Sequence, residues 1–364
     1  MAKRTVLYDQ HVKLSGRIVD FSGWELPVQY EGVLAEHRHT RSVVSAFDCS
    51  HMGQFLISGP DAAVKIARVT TQNAESLKVG KCRYGFLLNE DAGVLDDTIL
   101  MRLGEDEFLL VVNAGTLEGD LAWVKAKLAS DLELRNLSGE GWNKVDLQGP
   151  EAFNVLSPNV DGLAEMSYFS VRRAKCFGRD CTISRTGYTG ELGYEIMAPA
   201  EDLLAIFEQL LQDESVKPAG LGARDSLRLE MSYPLYGHEL STGLNPVEAD
   251  LMVFMKSKQD YLGSAKIREL VEQGPAKKLI AYTAASKRKS NPGNEVIHEG
   301  QVVGEVTSGG FAPSLEISIG FAYVKTALSA PGTELAVNLG RAELPITVCE
   351  KPLYKTASCR ANVG

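Results

Sequence analysis

The chain has 364 residues, a formal net charge of −9, and 44% hydrophobic against 23% charged residues. This length exceeds one small core and predicts about two or three globular domains. The negative charge argues against general nucleic-acid binding, which needs an excess of Lys and Arg. No run approaches about 18 apolar residues, and residues 1–14 lack an apolar core of signal-peptide length. We therefore expect a cytoplasmic protein that does not bind membranes.

Cysteines and short motifs give no sign of a metal or a redox cofactor. The six cysteines are scattered, with no CxxC and no His pair beside them, which predicts reduced and mostly buried thiols. No GxSxG, HExxH, phosphate-loop or dinucleotide-binding pattern is present. The cysteine spacing is therefore poor for zinc.

An internal repeat dominates the first two thirds of the chain. FLISGPDAAVKIA (55–67) and VDLQGPEAFNVL (145–156) both indicate a strand, Gly-Pro, an acidic residue and then a helix. We expect the proline at the first helical position and the acidic residue in the first turn. Hairpin-like strands follow each copy, and then a strand that leads into a helix (107–128 and 193–211). This order resembles a split βαβ, ferredoxin-like unit that is used twice.

The character of the sequence changes after about residue 275. Short β-rich runs are separated by Gly and Pro, and the polar stretch SKRKSNPGN (286–294) is typical of a surface loop. The pattern predicts a small all-β barrel or sandwich as the last domain.

Two histidine-containing segments are weak candidates for chemistry. Ser50 and His51 are adjacent, and adjacent residues of a strand point to opposite faces, so we do not expect a nucleophile and its base. His37 and His39 flank an arginine on a predicted helix and form no ligand pattern.

Several polar residues lie at positions that the strand and helix patterns of the sequence do not explain. Asp96 and Asp97 interrupt an apolar strand, so they serve either a functional site or a hairpin end bonded to backbone. Asn113 ends an apolar run and is equally explained as a helix cap. Arg224 lies in the first turn of a predicted helix, where a cation needs a ligand or a buried ion pair. Tyr188 and Glu195 lie in the glycine-rich stretch RTGYTGELGYE (185–195).

Six motifs in one order resemble the aminomethyltransferase (T-protein) family of the glycine cleavage system. They are DCSHMGQF, LLNEDAGVLDD, VVNAGT, RTGYTGELGYE, GLGARDSLRLE followed by PLYGHEL, and VTSGGFAPSLEISIG. The resemblance covers essentially the full length. It implies an α+β fold of three domains: a discontinuous ferredoxin-like domain (1–52 and 140–250), a second one (53–139) and a C-terminal β-barrel (275–364).

The resemblance also implies a reaction and its participants. The enzyme would transfer a one-carbon unit from the aminomethyl-lipoyl arm of the H-protein to tetrahydrofolate. The products would be 5,10-methylenetetrahydrofolate, ammonia and dihydrolipoyl H-protein. Tetrahydrofolate would act as co-substrate, and no metal or flavin would be required.

Site residues follow from the same resemblance. Asp97 is expected to be the catalytic carboxylate, with Asp96 as the alternative. The residues expected to bind folate are Tyr84, Asn113, Tyr188, Glu195 and Arg224.

Two rival functions share this resemblance. One is a folate-binding relative without transferase activity that maintains iron–sulfur proteins and carries a Lys-Gly-Cys-aromatic-x-Gly-Gln-Glu signature. The corresponding segment, KSKQDYLGSAK (256–266), has neither the Cys nor the Gln-Glu. The other is the folate-binding half of an amine dehydrogenase, which is joined to a flavin domain that this chain lacks.

Overall fold

A computed structural model of the chain describes residues 2–255 and 260–363, so part of the signature segment 256–266 lies outside the described residues. The helices are α1 (Tyr8–Lys13), α2 (Val33–Ser42), α3 (Ala62–Ala67), α4 (Leu117–Lys127), α5 (Ala152–Leu156), α6 (Ala200–Leu210), α7 (Leu221–Glu230) and α8 (Ser264–Gln273). The first ten strands are β1 (Lys3–Arg4), β2 (Arg17–Phe21), β3 (Trp24–Gln29), β4 (Val44–Asp48), β5 (Gly53–Ser58), β6 (Cys82–Leu88), β7 (Val94–Gly104), β8 (Glu107–Val112), β9 (Glu133–Asn136) and β10 (Trp142–Gln148). The other ten are β11 (Val171–Cys176), β12 (Arg179–Ser184), β13 (Gly193–Pro199), β14 (Val216–Pro218), β15 (Lys277–Ala284), β16 (Glu295–His298), β17 (Gln301–Ala312), β18 (Ile317–Lys325), β19 (Glu334–Asn338) and β20 (Glu343–Cys349).

The internal repeat appears as two sheets whose first four strands have corresponding orders. One sheet runs β6-β7-β8-β5-β9 and the other runs β11-β12-β13-β10-β4-β14. In both, the strand before the Gly-Pro pairs antiparallel with the strand that leads into the second helix, β5 with β8 and β10 with β13. Strand β4 precedes the whole first sheet in the chain yet pairs with β10. The segment that forms the first sheet is therefore inserted between two strands of the second, as a discontinuous ferredoxin-like unit requires.

The Gly-Pro turns differ from the prediction in one respect. Helices α3 and α5 begin after the acidic residue, so Asp61 and Glu151 occupy the capping positions and the prolines lie in the preceding turn. The expected placement of proline at the first helical position was wrong. Gly59 and Gly149 have φ of +135° and +146°, and a Cβ at Gly149 would lie 2.3 Å from the backbone oxygen of Val43. The chain reverses direction at the glycine, and the proline lies in this turn instead of in the helix.

The C-terminal strands close into a six-stranded barrel in the order β15-β18-β17-β16-β19-β20, which confirms the predicted barrel. Its strands alternate buried and exposed positions, most regularly in β20, as expected for a small barrel filled by side chains. The predicted loop 286–294 lies between β15 and β16.

The described residues group into two compact units. The first comprises Met1–Gly85, Thr98–Asp225 and Ala357–Gly364, and the second comprises Phe86–Asp97 and Ser226–Thr356. The main core of the first unit packs α5 and α6 against the six-stranded sheet, with Tyr194, Phe207 and Ile196 fully buried. Four cysteines are buried and two are half-buried, all as free thiols, as the sequence predicts.

Candidate functional site

Two adjacent strands of the first unit, β10 and β13, bring charged side chains to one face of the six-stranded sheet. Lys144 and Asp146 are two residues apart on β10, so their side chains lie on the same face. The register places Asp146 opposite Glu195 of β13 on one side and opposite Phe47 of β4 on the other. The face is therefore built by strand pairing between distant parts of the sequence.

Four of these side chains form what we call the buried ion chain, Glu195–Lys144–Asp146–Arg224. The Lys144 Nζ atom donates to Glu195 Oε2 and to Asp146 Oδ1, both at 2.6 Å. The Arg224 Nη1 atom donates to Asp146 Oδ2 at 2.9 Å. The side chains of Lys144 and Asp146 are 1% and 0% exposed, and those of Glu195 and Arg224 are 9% and 15% exposed. Two cations and two carboxylates balance, which is the condition for keeping charges buried.

The two carboxylates of the chain differ in how strongly they hold their charge. Burial raises the pKa of Asp146, but Lys144 and Arg224 outweigh it, and the net pKa is lowered. Among the described residues, Glu195 has only Lys144 as a hydrogen-bonded cation, and burial leaves its pKa raised. Burial lowers the pKa of Lys144, but its two carboxylate partners raise it above its usual value. Of the two carboxylates, Glu195 is therefore the more readily protonated.

The residues behind the ion chain are neutral. The backbone N–H of Cys49 donates to the Lys144 carbonyl at 3.0 Å, and burial raises the pKa of the Cys49 thiol. The Ser50 hydroxyl also donates to the Lys144 carbonyl, at 3.2 Å. Burial lowers the pKa of His51 to about 4, so the imidazole is uncharged at neutral pH. His51 packs edge-on against Phe21, with ring centroids 5.7 Å apart.

The stretch RTGYTGELGYE forms a loop (185–192) that leads into β13. The Arg224 guanidinium lies 5.0 Å from the centroid of the Tyr188 ring, which joins this loop to the end of the ion chain. A Cβ atom at Gly187 or Gly193 would lie 2.0 or 2.3 Å from the side-chain oxygen of Gln148. Close approach to Gln148 therefore explains two of the glycines in the stretch.

The C-terminal residues fasten this loop from outside the sheet. The Ser358 hydroxyl donates to Glu191 Oε2 and accepts the Leu192 N–H at 2.8 Å. The Cys359 N–H donates to the Gly190 carbonyl at 2.9 Å. The loop that carries Tyr188 is thus held in place by a distant segment of the chain, and nothing in the local sequence pattern indicated this.

The structure brings together three of the predicted site residues and shows the position and burial of the others. Glu195, Arg224 and Tyr188 meet at the buried ion chain. The question left open for Arg224 is answered, because it forms a buried ion pair with Asp146. Tyr84 on β6 and Asn113 directly after β8 are half-buried in the same compact unit.

The two adjacent aspartates lie on β7, in the residues grouped with the second unit. Asp96 is fully buried and Asp97 is half-buried, as expected for neighbours that point to opposite faces of a strand.

Sequence reasoning missed Lys144 and Asp146. The signal was present, since two charges at a period of two in the apolar stretch WNKVDLQ imply one charged face.

Over the described ranges, no group of three or more His, Cys, Asp or Glu side chains is gathered to hold a metal ion. In the same part of the chain, no helix is long and apolar enough to cross a membrane. The fold and the site together define a class: an α+β protein with a repeated ferredoxin-like sheet, a C-terminal barrel, and a buried cluster of charged side chains.

Comparison with known proteins specifies this class further. Residues 7–259 match the GCVT N-terminal domain, and residues 277–355 match the glycine cleavage T-protein C-terminal barrel domain. An aminomethyltransferase of Symbiobacterium thermophilum is 42% identical over 97% of this chain and 98% of that protein. One of Thermotoga maritima is 39% identical, with the same coverage. The crystal structure of glycine cleavage system aminomethyltransferase T from Bartonella henselae superposes with a TM-score of 0.92, at 33% identity over 98% of this chain and 99% of that one.

The chain belongs to the aminomethyltransferase (T-protein) family of the glycine cleavage system. This confirms the resemblance and the enzymatic activity predicted from the sequence, a tetrahydrofolate-dependent aminomethyl transfer.

Proposed function

We propose that tetrahydrofolate binds as co-substrate beside Glu195, Arg224 and Tyr188, with Tyr84 and Asn113 as further contacts. The carbon would arrive on the lipoyl arm of the H-protein, as the family reaction requires. The products would be 5,10-methylenetetrahydrofolate, ammonia and dihydrolipoyl H-protein.

The observation that carries this assignment is the pairing of a buried carboxylate with an aromatic ring and an arginine in one cluster. Glu195 is 9% exposed at its side chain, and Tyr188 lies against Arg224. A carboxylate accepts two parallel N–H bonds, which suits the amine and adjacent ring nitrogen of a pterin. Each oxygen accepts up to two hydrogen bonds, so the bond from Lys144 to Oε2 leaves this capacity in place.

We assign the catalytic role to Asp97, with Asp96 as the alternative. As ammonia leaves, the transferred carbon becomes iminium-like and gains positive charge, which a nearby carboxylate in a water-poor site stabilises. The half-buried position of Asp97 leaves its side chain accessible to a substrate, whereas Asp96 is fully buried. Holding the folate so that N5 faces the incoming carbon would contribute through orientation.

Three further expectations belong to this proposal. The enzyme works in the cytoplasm with the lipoylated H-protein as its protein partner. It requires no metal and no flavin for turnover. Its three domains follow the boundaries 1–52 with 140–250, 53–139 and 275–364, which limited proteolysis at the junctions would check.

The test is ammonia release from aminomethyl-loaded H-protein in the presence of tetrahydrofolate. We expect turnover that depends on folate, and a loss of about 10²-fold or more in kcat for Asp97→Asn, typical of removing one electrostatic or acid–base group. Asp91→Asn changes an exposed carboxylate six residues earlier and is the matched control. Near-normal turnover of Asp97→Asn would remove the assignment of Asp97. Folate binding without any turnover would place the protein among the non-enzymatic folate binders.

A further inference from the structure

We infer that Lys144 is a positioning residue, which acts on folate through Glu195. We also infer that Asp146 offsets part of the positive charge by which Lys144 stabilises the Glu195 carboxylate. The inference rests on the proposed folate site. It goes beyond that site because neither residue is expected to touch the ligand.

The geometry points to an indirect role for Lys144. Its side chain is 1% exposed, and its Nζ atom donates to two carboxylates at 2.6 Å. Its Cα lies on the central strand β10, between the strands that carry Glu195 and Phe47. A lysine held in this way fixes Glu195 Oε2 in one place and supplies the positive charge that keeps Glu195 ionised.

Asp146 competes with Glu195 for that positive charge. Both carboxylates share the Lys144 ammonium, while Asp146 alone receives the Arg224 guanidinium. The negative charge of Asp146 raises the pKa of Glu195, and Lys144 lowers it. Removing Lys144 or Asp146 therefore shifts the ionisation of Glu195 in opposite directions. Among the described residues, the titratable and charged groups that face Glu195 are Lys144, Asp146, Arg224, Cys49 and Cys82.

The consequence for folate depends on the sign of each shift. A protonated Glu195 has a donor where the pterin needs an acceptor, so binding holds above the pKa of Glu195 and is lost as the pH falls through it. Without Lys144 that pKa rises and the loss of binding moves to higher pH. Without the charge of Asp146 that pKa falls and the loss moves to lower pH.

The experiment measures the dissociation constant and KM for tetrahydrofolate from pH 5.5 to 9 in Lys144→Met and Asp146→Asn. We expect the pH midpoint of binding to rise by about one unit or more in Lys144→Met, the effect of losing one close opposite charge. At a pH below both midpoints its KM should rise about tenfold for a shift of one unit, the equivalent of about 1.4 kcal/mol, and kcat should change less. At pH 9 its affinity should recover, because Glu195 is again ionised. In Asp146→Asn the midpoint should move the other way.

A double-mutant cycle separates positioning from general structural damage. If Lys144 acts through Glu195, adding Lys144→Met to Glu195→Gln should change KM by less than about twofold. Glu239→Gln is the matched control, because it breaks a buried ion pair with Arg228 (3.1 Å, 2% and 0% exposed) in the second compact unit. It should lower thermal stability without moving the pH midpoint.

Different results overturn different statements. Additive effects in the cycle, or an unchanged pH midpoint in both single variants, would overturn the role of Lys144 and leave the folate site standing. An unchanged KM in Glu195→Gln would overturn the folate site itself. If Lys144→Met does not fold, Asp146→Asn still decides, since it keeps the shape of the side chain and must lower the midpoint.

Discussion

Ser358→Ala tests whether the C-terminal segment fastens the loop that carries Tyr188. The Ser358 hydroxyl accepts the Leu192 N–H at 2.8 Å, and Leu192 is 3% exposed. The same hydroxyl donates to Glu191, which is also bound by Arg41 at 2.8 Å. The substitution deprives a buried N–H of its acceptor and leaves Glu191 with its arginine.

The expected magnitude follows from the buried N–H. An unsatisfied buried donor costs about 1–3 kcal/mol, which corresponds to about a 5- to 150-fold faster hydrogen exchange at the loop if exchange proceeds through local opening. Hydrogen exchange followed by mass spectrometry on peptides that contain residues 186–192 measures this directly. Ser42→Ala is the control, because the Ser42 hydroxyl makes a local bond to the Arg38 carbonyl at 2.8 Å on the same unit.

The functional readout is tetrahydrofolate binding. A looser loop samples more orientations of Tyr188, so KM should rise while the global unfolding transition changes little. If hydrogen exchange of residues 186–192 is as slow in Ser358→Ala as in the wild type, the C-terminal segment does not hold the loop.

Three other substitutions test the packing around the site. Gly149→Ala should destabilise the protein by about 2–4 kcal/mol, since it adds a Cβ 2.3 Å from the Val43 carbonyl at a φ of +146°; urea unfolding measures this, and a normal midpoint would contradict it. The pKa of His51 falls from 6.5 to about 4 on folding, so the unfolded state binds a proton more readily between these pH values. Lowering the pH through this range should therefore reduce the free energy of unfolding by up to about 3 kcal/mol. In His51→Gln, the free energy of unfolding should depend less on pH over the same range. Glu36→Gln should cost about 1–3 kcal/mol, because Glu36 accepts from three backbone N–H groups, including that of Gly220 at 2.8 Å, and thermal unfolding checks it against wild type.

The repeated architecture was predictable because its signal is local. Gly-Pro followed by an acidic residue marks the same strand-to-helix turn twice, and both copies belong to sheets in which four strands have corresponding orders. The barrel was predictable for the same reason, from short β-rich runs separated by turn residues. The helix starts were misplaced by about two residues. Asp61 adopts a left-handed conformation with φ of 56°, a detail of the turn that proline spacing does not specify.

The pairing of β4 with β10 was not predictable from pattern alone. These strands are separated by the whole first sheet, and neither strand by itself indicates its partner. Strand register between distant segments is set by how the sheet buries its faces, which becomes visible only when all strands are placed. The resemblance to the family supplied the discontinuity instead.

The buried ion chain was predictable from the sequence only in part. The spacing of Lys144 and Asp146 placed both charges on one face of a strand, and this much was visible in the sequence. Their partners depend on the register that sets Asp146 opposite Glu195, and on the helix that presents Arg224. A buried lysine between two carboxylates is costly unless every charge is matched, so the four residues constrain one another. Substituting any one of them changes the ionisation of the rest, and Glu195, whose pKa is raised while that of Asp146 is lowered, should respond first.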